Sequence, residues 1–392
     1  MKNYLLYFLI LFGLLMSCKK DNGSSTKIFN IKGYIQKGPF VKGTTITISE
    51  LKDDLSQTGR NFNTTIVDDK GSFEISNIGL SSNFIYLSAS GYFYNEIIGA
   101  LSNSMISLNA IVNLQNNQNI NVNIITTIES ERVEYLVQKG SDFETAKTQA
   151  RNEIFNIFGF SYSNSGNPET FDITQSGINN SILLAISAII LGTHTEAELT
   201  ELISGISSDL KTDGKLDNTI QQSDLINEAK LLDINSVKIN LEKRYSDLGT
   251  NIVINDFDKY VDTFINKTNY VFTKKIEYPG SVNSLLNVLS DTLNSITGGL
   301  EYSIAANLPK GTSIKVIFKP TNGYSFSGIG IAGQNNGWTI NSSMADSTNL
   351  TAIGSGQNIS IGFMTGPPTS VDFYIYENNS KIPTKIKVLK NY

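Results

Sequence analysis

The chain has 392 residues, 40% hydrophobic and 17% charged, with a formal net charge of −5. This is a globular composition long enough for two or three domains, and its acid excess excludes nucleic acid as a partner, because phosphate binding needs clustered Lys and Arg. A single cysteine and a single histidine exclude a disulfide framework and the usual zinc ligand sets, so no metal and no cofactor is expected.

Residues 1–17 read as a lipoprotein signal peptide. Lys2 gives a positive start, Tyr4 to Met16 is almost unbroken apolar sequence, and Leu15-Met16-Ser17 leads into Cys18. Charge, apolar core and a small residue before the cut make an export signal. The apolar run is shorter than the about 20 residues that a bilayer span requires. Residues 18–27 follow as an anchor and leash, since Lys19 to Thr26 contains no apolar side chain.

From residue 28 to 124 the pattern alternates with period two. Thr44 to Leu51, Phe62 to Val67, Ser72 to Ile75, Phe84 to Leu87, Ile106 to Val112 and Ile120 to Ile124 read as strands, with Asp68 to Gly71 as a turn. Short strands at this spacing predict a β-sandwich. The period changes near Ile125, and residues 125–278 predict an α-helical bundle. Thr126 with Glu129 offers a capping box, Ser141-Asp142-Phe143-Glu144 a second start, and Thr195 with Glu198 a third. Ser181 to Leu191 lacks a polar face, which marks a central buried helix. Residues 279–299 predict a linker helix, with Val282 to Ile296 stopped by Gly298-Gly299. Residues 300–392 return to period two and predict a C-terminal β-sandwich of immunoglobulin-like size. The expected class is multi-domain α+β.

Three resemblances follow from particular stretches. Gly33-Tyr34-Ile35, Gly38-Pro39-Phe40, Asp69 to Ile75 and Leu87 to Tyr92 resemble the carboxypeptidase regulatory-like, transthyretin-like module of exported bacterial proteins, which implies a small sandwich used as spacer or binding module. Leu15-Met16-Ser17-Cys18 resembles the bacterial lipobox, which implies cleavage before Cys18 and lipidation of its thiol. The stretches IQKGPFVKGTTITISEL, ASGYFYNE and IESERVEYLV behind that lipobox resemble uncharacterised exported lipoproteins of the Bacteroidetes type. This implies an outer-membrane lipid anchor, with the cell surface favoured over the periplasmic face.

His194 lies between Gly192 and Thr195 in an interhelical turn, with no Gly-x-Ser-x-Gly elbow in the chain, so it reads as structural or solvated. Asp209, Asp213, Gly214 and Asp217 suggest a calcium loop, but Lys211 and Ile220 occupy positions where an EF-hand needs an oxygen ligand, so a polar turn is expected. Asp53-Asp54, Asp68-Asp69 and Glu129 with Glu131 are adjacent acids that fit turns and helix starts. Tyr92, Tyr94 and Trp338 are the candidate ligand contacts, since flat aromatic faces bury area at low entropy cost. The function expected is that of a non-enzymatic binding, scaffold or adhesion lipoprotein, held to the membrane through Cys18, with a glycan or protein as ligand. The alternatives are a carboxylate-dependent glycan or peptide hydrolase with a site between domains, and a periplasm-facing structural lipoprotein.

Overall fold

The computed structural model describes residues 26–115, 118–161, 166–254 and 257–271, together with strands lying between 276 and 389. The chain is α+β: seven α-helices and a larger number of strands among the described residues.

Alternation builds the first strand, β1 (Lys27–Gln36), in which Phe29, Ile31, Gly33 and Ile35 are buried and the intervening residues face out. β1 pairs antiparallel with β4 (Ser72–Leu80) and parallel with β9 (Val122–Asn123). A second sheet takes the order β3 (Gln57–Thr65), β2 (Thr45–Leu51), β5 (Phe84–Gly91), β8 (Ile106–Asn113), all antiparallel. Its inward residues Ile46, Ile48, Leu87, Ala89, Leu108 and Ala110 share one buried cluster with Ile31 and Ile35. The Asp68–Gly71 turn forms as expected: the Asp68 carboxylate accepts from the backbone N–H of Lys70 and Ser72, and Gly71 takes φ +84°. A short ribbon of β6 (Tyr94–Asn95) and β7 (Ala100–Leu101) follows β5.

The parallel edge of β1 is unusually tight. Lys32 N–H donates to the Gln118 carbonyl at 3.0 Å, and Ile120 N–H donates to the Lys32 carbonyl at 2.7 Å. A Cβ on Gly33 would lie 1.7 Å from the Ile120 carbonyl oxygen. The obstacle is backbone, which cannot rotate away, so Gly33→Ala must push residues 118–122 off β1. Its expected cost is about 3 kcal/mol, the upper end of ordinary overpacking. A urea midpoint unchanged by the substitution would refute this account of the edge.

The helices begin at α1 (Ile124–Gln138). Its cap is Asn123, not the expected Thr126: the Asn123 side chain accepts from Ile125 and Thr126 N–H, and the Thr126 hydroxyl accepts from Asn123 N–H. Thr126 is therefore the third residue of the box and not its start, because β9 runs straight into the helix without a turn. α2 (Phe143–Ile157) is capped by Asp142. A 3₁₀ turn (Pro168–Thr170) leads to α3 (Ile178–Leu191), in which every residue from Ser181 to Leu191 is buried, as its apolar run predicts. α4 (Glu196–Asp213) carries the expected box of Thr195 and Glu198, with Gly214 ending it at φ +79°. α5 (Thr219–Leu231), α6 (Ile234–Asp247) and α7 (Asp258–Lys267) complete the set. Among the described residues no single helix is long and apolar enough to cross a membrane.

Strands and helices share a core. One buried cluster runs from Phe29 and Ile35 through Val122, Ile128 and the apolar residues of α3 from Ile182 to Leu191 to Phe264 on α7. Polar bonds reinforce the join: the Gln36 amide donates to Asp172 at 2.8 Å, and the Asn121 and Asn123 amides donate to the Phe171 and Pro168 carbonyls. Two buried ion clusters lie along the same seam. The Lys37 ammonium meets Glu96 at 2.5 Å with both side chains fully enclosed, and the Ser187 hydroxyl of α3 donates to the Lys37 carbonyl at 3.0 Å. The Lys147 ammonium of α2 sits between Glu129 of α1 and Glu169 of the 3₁₀ turn, 2.8 Å from the latter. Glu129, expected as an ordinary acid at a helix start, is therefore a core residue.

Farther along, the expected helix of 279–299 is corrected. Asn287–Ile296 is a strand, paired antiparallel with Gly299–Leu308, Ile296 opposite Gly299. Ser, Asp, Thr and Asn are poor helix formers. These strands join Gln357–Thr365 and Phe326–Ala332 in a four-stranded sheet. Strands Ile276–Glu277, Thr384–Leu389, Ser370–Glu377, Ser313–Pro320, Ser347–Ala352 and Trp338–Ser343 form, in that order, a six-stranded one.

Candidate functional site

The outer face of the β3-β2-β5-β8 sheet is covered by α1 and α4, and between them lies a cleft of about 450 Å³. Strand alternation supplies one wall, with Tyr86 of β5 and Ser107, Asn109 and Ile111 of β8. Helical spacing supplies the other, with Thr127, Ser130, Glu131 and Glu134 of α1 and Thr200, Ile203, Ser204 and Ser207 of α4. Leu51, Leu55, Ser56 and Gln57 close one end. The volume falls in the range of small-molecule sites.

Three features distinguish this cleft from a packing gap. The Asn109 side-chain oxygen is buried with no hydrogen-bond partner among the described residues. Leaving a buried acceptor unmatched costs about 1–3 kcal/mol, so such groups are rare in natural folds. Leu55 holds φ +64°, a left-handed conformation that costs a bulky residue about 1–3 kcal/mol and that clusters at functional sites. Third, the two α1 acids shape the electrostatics. Burial pushes the Tyr86 phenol above its ordinary value, and the carboxylates of Glu131 and Glu134 add to the rise. Glu131 is bridged to Lys211 at 3.3 Å, and Glu134 accepts from Gln138.

A second cluster lies where the α3–α4 turn meets α5. His194 Nδ1 donates to the Leu191 carbonyl at 3.0 Å, which directs Nε2 to the Asp224 carboxylate at 2.9 Å. Glu228, one helical turn beyond Asp224, accepts from Thr193 N–H at 2.8 Å. One donor atom from each of His194, Asp224 and Glu228 falls within 4.8 Å of the others, a set that could hold a metal ion. Burial would lower the imidazole's affinity for its proton. The bond to Asp224 and the charges of Glu228 and Asp224 overcome this and push it up to about 9. His194 is thus a structural residue in a half-buried polar cluster, the first of the two places its sequence setting allowed.

The residues singled out from sequence take varied places. Leu15, Met16, Ser17 and Cys18 lie outside the described residues, as does the side chain of Trp338, which begins a strand. Tyr92 is exposed at 44%. Tyr94 is buried, its ring lies under the Arg244 guanidinium and its hydroxyl donates to the Asn240 carbonyl, so it packs the β6–β7 ribbon against α6. Asp54 caps a turn through Ser56; Asp209 and Asp213 lie in the last turns of α4, and Asp209 accepts from Asp217 and Asn218 N–H, which ties the turn beginning at Gly214 back to the helix.

No protein-family model and no curated protein matches the chain. Its function is therefore argued from geometry. Sequence reasoning passed over Asn109, Tyr86 and Glu134. The signal available was the outward register of β5 and β8, whose exposed-side residues are too mixed for a solvent face. It also passed over Asp224 and Glu228, whose four-residue spacing on one helix was the only hint.

Proposed function

We propose that this protein is an exported, lipid-anchored binding protein of a Gram-negative envelope, and that its ligand seat is the cleft between the β5–β8 face and helices α1 and α4. The observation that carries the seat is the unmatched Asn109 oxygen in a wall of hydroxyls beside the Tyr86 ring. A polyhydroxylated ligand suits it: sugar hydroxyls can donate to the acids and, once the half-buried Asn109 side chain turns toward the cleft, to its oxygen, and a sugar's apolar face can stack on Tyr86. The N-terminal pair of sheets serves as the sandwich module that forms one wall, in keeping with its carboxypeptidase regulatory-like sequence. The C-terminal strands form a second sandwich. Residues Lys2 to Cys18 support the anchor.

Titration of the mature chain with neutral oligosaccharides tests the seat. Binding should weaken at least tenfold in Asn109→Ala and in Tyr86→Ala, with melting temperatures kept near wild type. Absence of glycan binding, or binding indifferent to both changes, refutes the reading. For the anchor, Cys18→Ala should release the protein from membranes, and acyl labelling that persists in this variant refutes lipidation at Cys18. Protease treatment of intact cells should remove the protein, placing it outside; protection until lysis places it on the periplasmic face.

One observation favours a second reading, a carboxylate-dependent hydrolase: Glu131 and Glu134 both line the cleft. They stand one turn apart on a single helix, whereas glycoside hydrolysis uses acids that flank the scissile bond from two sides. Turnover lost in Glu131→Gln or Glu134→Gln would establish the hydrolase in place of the binding protein.

A further inference from the structure

The polar cluster at the α3–α4 turn has the construction of a metal site, and we propose that His194, Asp224 and Glu228 bind a divalent transition-metal ion. Four features point to an ion that would take the place of the proton His194 Nε2 now shares with Asp224. The first is convergence: an imidazole from a turn and two carboxylates from one face of α5 bring one donor atom each to within 4.8 Å of one another. The second is the support of the imidazole. His194 Nδ1 donates to a backbone carbonyl, which aims Nε2 into the cluster, the arrangement that ligating histidines commonly show. The third is the support of the carboxylate. Glu228 is 1% exposed and is held by Thr193, whose N–H and hydroxyl both donate to it.

The fourth feature is the space made for that carboxylate. A Cβ on Gly192 would lie 2.2 Å from the Glu228 oxygen, and Gly192 takes φ +44°. Glycine takes this backbone conformation without strain and leaves the Glu228 carboxylate room beside it. Access is provided on one side only: the His194 side chain is 9% exposed and that of Asp224 is 29%. An ion can enter past Asp224, and water can complete its coordination from that side. One nitrogen and two carboxylate oxygens suit zinc, manganese, cobalt or ferrous iron, and fit calcium poorly, which prefers oxygen ligands throughout. The site is separate from the cleft, whose lining includes none of these residues.

The test uses the full chain carrying Cys18→Ala, so that no thiol competes, freed of metal by a chelator. Titration with Zn²⁺ followed by heat, and with Co²⁺ followed by visible absorption, should each show one equivalent bound at micromolar concentration. His194→Ala and Glu228→Gln should lose that equivalent. Thr193→Val leaves all three ligands in place and should weaken binding about tenfold, as loss of a supporting bond does. No stoichiometric binding of either ion would overturn the proposal. So would binding that survives His194→Ala in a variant with native circular dichroism.

Discussion

Replacing Lys147 by Met should remove about 3–5 kcal/mol of stability, the expected result of breaking a buried ion cluster from one side. Met keeps most of the length and takes away only the charge. The side chains of Lys147, Glu129 and Glu169 are all 5% exposed or less, so the two carboxylates left behind have no water to turn to. Burial alone would lower the Lys147 ammonium, but Glu129 and Glu169 outweigh it and hold the lysine charged. Burial likewise pushes the Glu129 carboxyl up to about 7, against the pull of Lys147 and with the help of Glu169.

The sign of the pH dependence follows. The folded protein holds the Glu129 proton more tightly than the unfolded chain, whose carboxyl has its ordinary value near 4.5. This group favours the fold below that pH and surrenders the contribution as pH rises through 7. Lys147→Met should therefore be less damaging at pH 5 than at pH 8 in urea unfolding. Adding Glu129→Gln and Glu169→Gln should restore most of the loss, because it removes the uncompensated charges. A loss under about 1 kcal/mol at pH 8 would show that the cluster contributes as little as a surface pair.

Lys37→Met should be equally severe, about 3–5 kcal/mol, because it strands Glu96 inside the seam between sheet and α3. Glu96 already has one carboxylate oxygen without a hydrogen bond among the described residues, and loss of the ammonium leaves it worse placed. The partner substitution, Glu96→Gln, should cost less. Burial outweighs Glu96 in setting the Lys37 ammonium and holds it below its ordinary value. A lone Lys37 can therefore give up its proton and stay inside as a neutral amine. In that variant the unfolded chain binds the extra proton, so stability should rise as pH is raised toward 10. Equal losses for the two variants at every pH would contradict this asymmetry.

What could be read in advance divides along physical lines. Local patterns were legible: the unbroken apolar run of α3, the Thr195–Glu198 box, the alternation of β2, β5 and β8. Each depends on a periodicity that the chain carries in itself. Boundaries set by neighbours were not. Asn123 caps α1 because β9 ends against β1, a fact that residues 123–129 do not contain. The strand at Asn287–Ile296 needed Gly299–Leu308 as a partner to prevail over an amphipathic spacing.

Charges were the least legible. Lys37, Glu96, Glu129 and Lys147 look like surface residues one at a time, and only their pairing across elements makes burial tolerable. The candidate cleft shares this character, since Tyr86, Asn109 and Glu134 meet only when two helices cover the sheet. His194 and Asp224 stand 30 positions apart, too far for any local motif to join them.

The parallel edge on β1 has a consequence for time as well as for shape. A chain released from its N-terminus first produces β1 almost at once. Yet Tyr34 waits for Asn121, 87 positions later, Gln36 for Asp172, 136 later, and Lys37 for Ser187, 150 later. Contacts so distant in sequence are closed late and slowly. The strand that emerges first is thus among the last to be sealed, and its seam side stays open until α3 arrives.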